Sequence, residues 1–218
     1  MTIDYAAARE NMVEQQVRPW DVLDLRVLEV ISRLPREAFV PEIHRALAYA
    51  DIELPLGNGQ HMMKPVLEGR TLQAANVQAD EDVLEIGTGS GYLSACLGAM
   101  GRSVVSLEID PALADAARTR LEATGLGTNV RVETADALSY STEQRFDVIC
   151  ITGAVTEVPA QLLSLLRPGG RLFVVRGHSP AMEGVLVRNN VNGLHTESLF
   201  ETDLPYLVGA APAPQFAL

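Results

Sequence analysis

The chain has 218 residues, of which 47% are hydrophobic and 21% are charged, a balance that predicts a globular protein with a core, not a disordered one. The formal net charge is −11 and no two Lys or Arg residues are adjacent, which argues against a nucleic-acid partner held through its phosphates. No apolar stretch approaches the ~20 residues of a membrane span, and residues 1–5 show no secretory signal. We therefore expect a cytoplasmic protein without a membrane partner.

The N-terminal third is predicted to be helical and then irregular. Residues 5–34 have helical periodicity, with Asp21 or Asp24 able to cap a second helix. Residues 50–65 contain Pro and Gly too densely for a regular element. A helix over about 65–75 is expected to follow.

From residue 82 onward, short apolar strands alternate with helices. A helix after the first strand is expected to run through Met100. Asp110 and Pro111 are placed to start another helix, which Gly125 would end, and a third is expected over 159–166. Two segments near the C-terminus, 184–188 and 194–202, indicate an antiparallel pair. The five preceding strands are predicted over 82–86, 103–108, 130–133, 146–151 and 171–175.

This alternation predicts an α/β fold with a doubly wound, mostly parallel sheet covered by helices on both faces. We divide the chain into an N-terminal helical segment that also contributes to the binding of a second substrate, the acceptor (1–75), a ligand-binding domain (76–210) and a loose C-terminal tail (211–218). Cys96 and Cys150 each lie in an apolar run, which predicts buried free thiols.

A glycine-rich loop follows the first of these strands and opens a helix. Gly87, Gly89 and Gly91 allow a sharp turn and the close approach of a ligand. The third glycine comes one residue too early for a dinucleotide fingerprint, and Tyr92 stands in that place. Glu85 lies within the strand, where burying a carboxylate is costly unless it has a partner. It could accept hydrogen bonds from the ammonium group of a ligand's amino-acid portion.

Two more acidic residues are predicted at strand ends, where doubly wound sheets bind ligands. Glu108 ends the second strand and could accept both ribose hydroxyls of an adenosine. Asp136, after the third strand, falls where an adenine amino group would lie. The alternatives are that Glu108 is a solvated strand end and Asp136 a turn residue.

Together these segments resemble the successive motifs of class I methyltransferases. The resemblance rests on 83–92, Glu108, Asp136, 146–147 and 167–170. It implies S-adenosylmethionine as the methyl donor and a seven-stranded sheet with the last strand antiparallel. The cofactor-binding residues that it implies are Glu85, Gly87, Thr88, Gly89, Gly91, Tyr92, Glu108, Asp136 and Ala137.

A narrower resemblance extends into the N-terminal part. Residues 36–41, 49–51 and 54–60 are similar to protein-L-isoaspartate O-methyltransferases, which methylate the carboxylate of isoaspartyl residues in damaged proteins and so start their repair. Where that family has Thr-Ile-Ser, this chain has His61, Met62 and Met63. Met63 thus replaces the serine associated with the active site, and a thioether cannot replace the hydrogen bonding of a hydroxyl.

Three interpretations of the acceptor remain open at this point. A carboxylate acceptor is already anionic at neutral pH and needs positioning more than a base. A small-molecule hydroxyl or phenol would need a general base, for which His61 is the candidate. The chain could also bind the donor without catalysis. The alternatives are that His61 is a loop histidine and that Met62 and Met63 are core residues.

The sequence also disfavours a dehydrogenase and a metal-binding protein. A nicotinamide-dependent dehydrogenase is disfavoured by the glycine spacing. Because the four histidines show no metal-ligand spacing and no Cys-x-x-Cys accompanies them, we expect no metal.

Overall fold

Residues 3–213, the part of the chain that the computed structural model describes, form helices and strands whose bounds follow. The α-helices are α1 (Tyr5–Met12), α2 (Leu25–Arg33), α3 (Pro65–Ala75), α4 (Tyr92–Met100), α5 (Pro111–Thr124) and α6 (Ala160–Leu163). The strands are β1 (Leu54–Gly57), β2 (Gln60–Met62), β3 (Asp82–Ile86), β4 (Ser103–Glu108), β5 (Val130–Thr134), β6 (Phe146–Val155), β7 (Leu166–His178), β8 (Ala181–Asn190) and β9 (Gly193–Thr202).

Seven of the strands form one sheet in the order β5-β4-β3-β6-β7-β8-β9. The first five run parallel, whereas β8 is antiparallel to both β7 and β9. This confirms the doubly wound, mostly parallel, seven-stranded sheet and its terminal antiparallel pair. It is β8, not the last strand, that runs against the others. The chain order reverses at β3 and β6, which creates a crevice at their carboxyl ends.

The local signals in the sequence place several elements correctly. Helix α5 begins as predicted, because the Asp110 carboxylate accepts hydrogen bonds from the backbone N–H groups of the first turn, and it ends at Gly125 with φ 64°. Asp24, not Asp21, caps α2. Between α1 and α2 the chain is less regular than predicted, with a π-helical turn at Val13–Val17 and a 3₁₀ turn at Arg18–Trp20.

The prediction that residues 50–65 lack regular structure is wrong. Strands β1 and β2 pair antiparallel as a short hairpin. Its turn is formed by Asn58 and Gly59, both with positive φ (50° and 75°). An Asn-Gly pair favours this type of two-residue hairpin turn, so the signal was present in the sequence.

Three boundaries also differ from the prediction. Helix α6 is a single turn, and β7 begins at Leu166 instead of 171. The pairing of β6 with β7 skips from Leu166 to Arg171, so residues 167–170 form a bulge that accommodates Pro and Gly without breaking the strand. Strand β6 continues to Val155, four residues beyond its predicted end.

Alternate residues of each strand face opposite sides of the sheet and form two apolar clusters. One cluster joins Val83, Val148 and Phe173 to α2, α3 and α4. The other contains Leu84, Ile149 and Leu172. Cys96 and Cys150 are buried free thiols, as predicted. None of the helices in the described part of the chain has the length and apolar character needed to cross a bilayer.

Candidate active site

A pocket lies at the carboxyl ends of the parallel strands, where the doubly wound sheet is expected to bind its ligand. Its floor is formed by the residues that end or follow β3, β4, β5 and β6. The β1–β2 hairpin closes one side. Residues 204–208 close the other, anchored where Leu207 N donates to Ala154 O (2.9 Å) and Ala154 N to Pro205 O (2.8 Å).

The glycine loop between β3 and α4 forms one wall of this pocket. Gly87 and Gly89 line it, with φ values of 94° and 52° that favour glycine. A Cβ on Gly87 would lie 2.3 Å from Thr152 Oγ1, closer than atoms can approach. Thr152 Oγ1 in turn donates to the carbonyl oxygens of Ile86 and Gly87 (2.9 and 2.7 Å). The loop is therefore held against β6, and its shape depends on the missing side chain.

Glu108 lies at the end of β4, is only 5% exposed and lines the pocket. Gly89 N donates to its Oε2 (2.7 Å) and Asp110 N to its Oε1 (3.1 Å). A carboxylate has about four lone-pair sites, so each oxygen retains the capacity to accept one more hydrogen bond. This arrangement fits a ligand with two adjacent hydroxyls.

Asp136 and Ala137 follow β5 and also line the pocket. Leu138 N donates to Asp136 Oδ1 (2.9 Å), a bond within the turn that fixes the direction of the carboxylate. Ala137 is buried. Both residues that the sequence singled out after the third parallel strand thus lie on the same side of the pocket as Glu108.

Glu85 is not brought to the pocket. Its carboxylate is fully buried on the side of β3 that faces α4, where Ser94 Oγ and Ser106 Oγ both donate to Oε2. Burial raises its pKa to about 7, against the opposing effect of these two hydrogen bonds. The alternation of side chains along β3 explains the difference from the prediction, because Glu85 shares the face of Val83.

Three other predicted cofactor-binding residues are not among those that line the pocket. The Thr88 hydroxyl is hydrogen-bonded to Ser106 Oγ (2.6 Å). Gly91 precedes α4 and packs against Ala117. Tyr92 is buried, with its ring 5.7 Å from that of Phe39. The side chains of Thr88 and Tyr92 and the backbone of Gly91 therefore support the loop.

The acceptor-site residues from the sequence analysis do converge on the pocket. His61, Met62 and Met63 all line it at the end of the hairpin. His61 is exposed, whereas Met63 is 8% exposed. The hairpin therefore brings them into the same pocket as Glu108 and residues 204–208.

The sequence analysis missed Glu53, Thr152 and residues 204–208, which also line the pocket. Glu53 immediately precedes β1, so recognising the hairpin would have placed it. Residues 204–208 reach the pocket through a pairing with β6 about fifty positions away in sequence, for which no local signal exists. Within residues 3–213 no group of three or more His, Cys, Asp or Glu residues could hold a metal ion.

A doubly wound sheet, a glycine loop after β3 and carboxylates at the end of β4 and after β5 define a class I methyltransferase that uses S-adenosylmethionine. Comparison with known proteins narrows this class. Residues 7–196 match the model of the protein-L-isoaspartate(D-aspartate) O-methyltransferase family, and the chain belongs to this family.

Individual relatives agree with this assignment. The chain is 37% identical to protein-L-isoaspartate O-methyltransferase 1 of Syntrophobacter fumaroxidans over 95% of its own length and 97% of that protein. It is 45% identical to the Myxococcus xanthus protein-L-isoaspartate O-methyltransferase over 72% of its length and 74% of that protein. A Plasmodium falciparum structure in complex with S-adenosyl-L-homocysteine shares the fold, with a TM-score of 0.79, 19% identity and coverage of 94% and 99% of the two chains.

Proposed function

We propose that this protein transfers the methyl group of S-adenosylmethionine to the free carboxylate of isoaspartyl residues in damaged proteins or peptides, starting their repair. The observation that carries the proposal is the continuity of one pocket. The glycine loop, Glu108 and Asp136, which suit the donor, line the same pocket as His61 and Met63. The relatives' shared name supports the choice of acceptor.

The glycine loop, Glu108 and Asp136 fit S-adenosylmethionine. The free lone pairs of Glu108 suit the two ribose hydroxyls, and Asp136 suits the adenine amino group. Gly87 and Gly89 line the pocket, and without side chains their backbone can come close to a ligand. Thr88, Gly91 and Tyr92 are assigned the supporting role of keeping this loop in place. When bound, the donor supplies an electrophilic methyl group on a sulfonium.

Catalysis in this proposal rests on alignment and not on proton abstraction. An isoaspartyl carboxylate is ionised at neutral pH, so it attacks without a base, and the protein's task is to hold it in line with the methyl group. His61 is the basic residue among those that line the pocket, and its imidazole can donate a hydrogen bond to the acceptor. Met63 forms an apolar wall beside it.

The decisive experiment is radiolabelled methyl transfer to an isoaspartyl peptide, compared with the same peptide containing normal aspartate. We expect transfer to the isoaspartyl form only. Met63→Ser should raise kcat/KM about tenfold, because a hydroxyl can add one hydrogen bond to a charged acceptor. Met100→Ser is the matched control, since Met100 is also 8% exposed but lies outside the pocket. Absence of transfer by both the wild type and Met63→Ser would exclude the repair function.

The position of His61 in the pocket favours one second candidate, a methyltransferase acting on a small-molecule hydroxyl or phenol with His61 as general base. In that case His61→Ala should abolish transfer to a phenolic acceptor and leave binding of S-adenosylhomocysteine intact. His195→Ala, on the exposed strand β9, is the control. Transfer to the isoaspartyl peptide that survives in His61→Ala would decide for the carboxylate acceptor. Donor binding with no transfer to either acceptor would instead indicate a non-catalytic role.

We also propose a division of labour along the chain and a cellular location. Residues 1–75 would shape the acceptor side and 76–210 would bind the donor. Of the predicted tail, 211–218, residues 214–218 lie outside the described part of the chain. A cytoplasmic location is supported by the two free, buried cysteines.

A further inference from the structure

Arg36 is a fully buried arginine outside the pocket. Removing a guanidinium from water is costly unless hydrogen bonds and a counter-charge compensate. Arg36 Nη2 donates to the carbonyl oxygen of Met63 (2.6 Å) and Nη1 to Met62 Sδ (3.1 Å). On the other side, its Nε lies 3.5 Å from Glu68 Oε2 on α3. The guanidinium therefore ties α3 to the two residues that form the apolar acceptor wall.

The same guanidinium also contacts the donor side. Its central carbon lies 5.3 Å from the centre of the Tyr92 ring, within the range of a cation–π interaction. Tyr92 begins α4 directly after the glycine loop. One rigid, planar group thus touches both the wall that would hold the acceptor and the helix that carries the donor loop.

The bond to Met63 is made to backbone. Strand pairing in the hairpin ends at the pair Leu54–Met62, so the carbonyl of Met63 lies just beyond the ladder and Arg36 supplies its partner. Because the acceptor is a main-chain oxygen, this bond is independent of the side chain at position 63. The wall would keep its position whether that residue were Met or Ser.

We propose that Arg36, oriented by Glu68, is a positioning residue that sets the acceptor wall at Met62 and Met63 relative to the donor loop. The inference rests on the proposed function, since in-line methyl transfer needs the two substrates aligned. Arg36 touches neither substrate. Displacing reacting groups by about 1 Å can cost up to about a hundredfold in rate, so loosening this link is expected to affect transfer and leave donor binding intact.

The test compares Arg36→Lys with Arg171→Lys. Arg171 is also buried and also donates to backbone carbonyls, those of Ala75 and Asn76, but neither of these partners lines the pocket. Lysine keeps the charge and loses the planar fork. We expect Arg36→Lys to lower kcat/KM for the isoaspartyl peptide at least about tenfold, with the Kd for S-adenosylhomocysteine unchanged. Arg171→Lys should lower thermal stability and leave kcat/KM unchanged.

Amide hydrogen exchange over residues 60–64 gives a readout that needs no acceptor. Arg36→Lys should accelerate exchange there, and Arg171→Lys should not. Unchanged exchange together with unchanged kcat/KM in Arg36→Lys would overturn the positioning role. If Arg36→Lys accelerates exchange but the wild type transfers no methyl group to the peptide, the isoaspartyl acceptor is overturned and the role of Arg36 in holding the wall is retained.

Glu68→Gln carries the same test if Arg36→Lys does not fold. It preserves the shape of the side chain and removes the carboxylate that pairs with the guanidinium. Because burial raises the pKa of Glu68 to about 7, the comparison is made at pH 8, where this carboxylate is ionised. A fall in kcat/KM of at least about threefold at unchanged donor affinity is expected. An unchanged kcat/KM would overturn the proposal.

Discussion

Glu108 offers the sharpest test of the donor site. In Glu108→Gln, one carboxylate oxygen becomes an N–H donor. Both oxygens already accept a backbone N–H, from Gly89 and Asp110, so the amide nitrogen must face one of these donors. The substitution therefore removes a ligand acceptor and disturbs the glycine loop at the same time.

The magnitude follows from the number of hydrogen bonds lost. Hydrogen bonds to a charged group contribute about 1.5–3 kcal/mol each, and Glu108 has capacity for about two to a ligand. Losing one of them and weakening the loop bond gives about 3–6 kcal/mol. At about 1.4 kcal/mol per tenfold change, affinity for S-adenosylhomocysteine should fall at least about a hundredfold.

Calorimetric titration with S-adenosylhomocysteine measures this change. Glu133→Gln is the matched control, because Glu133 pairs opposite Leu107 on the neighbouring strand but does not line the pocket. We expect its affinity to stay within about threefold of the wild type. If folded Glu108→Gln bound the ligand as tightly as the control, the assignment of Glu108 to the ribose hydroxyls would be refuted.

Two further predictions concern the glycine loop and the acid behind it. In Gly87→Ala the new Cβ would lie 2.3 Å from Thr152 Oγ1, so donor affinity should fall about tenfold or more; calorimetry that shows an unchanged Kd would contradict the predicted close fit. Burial raises the pKa of Glu85 from 4.5 to about 7, so the native state binds a proton more tightly than the unfolded chain and its contribution to stability is lost as pH rises from about 4.5 to 7. At about 1.4 kcal/mol per pH unit this loss is on the order of 3 kcal/mol. In Glu85→Gln, the difference between the free energies of unfolding measured with denaturant at pH 5 and at pH 8 should be smaller by this amount. A difference equal to that of the wild type would contradict the burial of the Glu85 carboxylate.

The sheet could be predicted from the sequence because its strands are short apolar runs and its helices carry local stop and start signals. Asp110 and Gly125 bound α5 through contacts with their own neighbours. The β1–β2 hairpin was missed although Asn58 and Gly59 favour its turn, since strands of three and four residues leave almost no periodicity to detect.

Sequence alone could place a residue in the pocket where its position along a strand decides whether it lies there. Glu108 and Asp136 lie in the pocket because they follow parallel strands, which all end at one edge. For Glu85 the face of the strand decides, and that face is packed against α4 and its serine. Residues 204–208 depend on a pairing with β6 that only the complete tertiary fold creates.

The charges of the residues that line the pocket are consistent with the proposed donor and acceptor. In the proposed function, the carboxylates of Glu108 and Asp136 would favour binding of a positively charged donor. A carboxylate acceptor is repelled by these groups and is better placed by the hairpin, beside His61 and the uncharged methionines. Methyl transfer cancels both charges, since the sulfonium becomes a thioether and the carboxylate an ester.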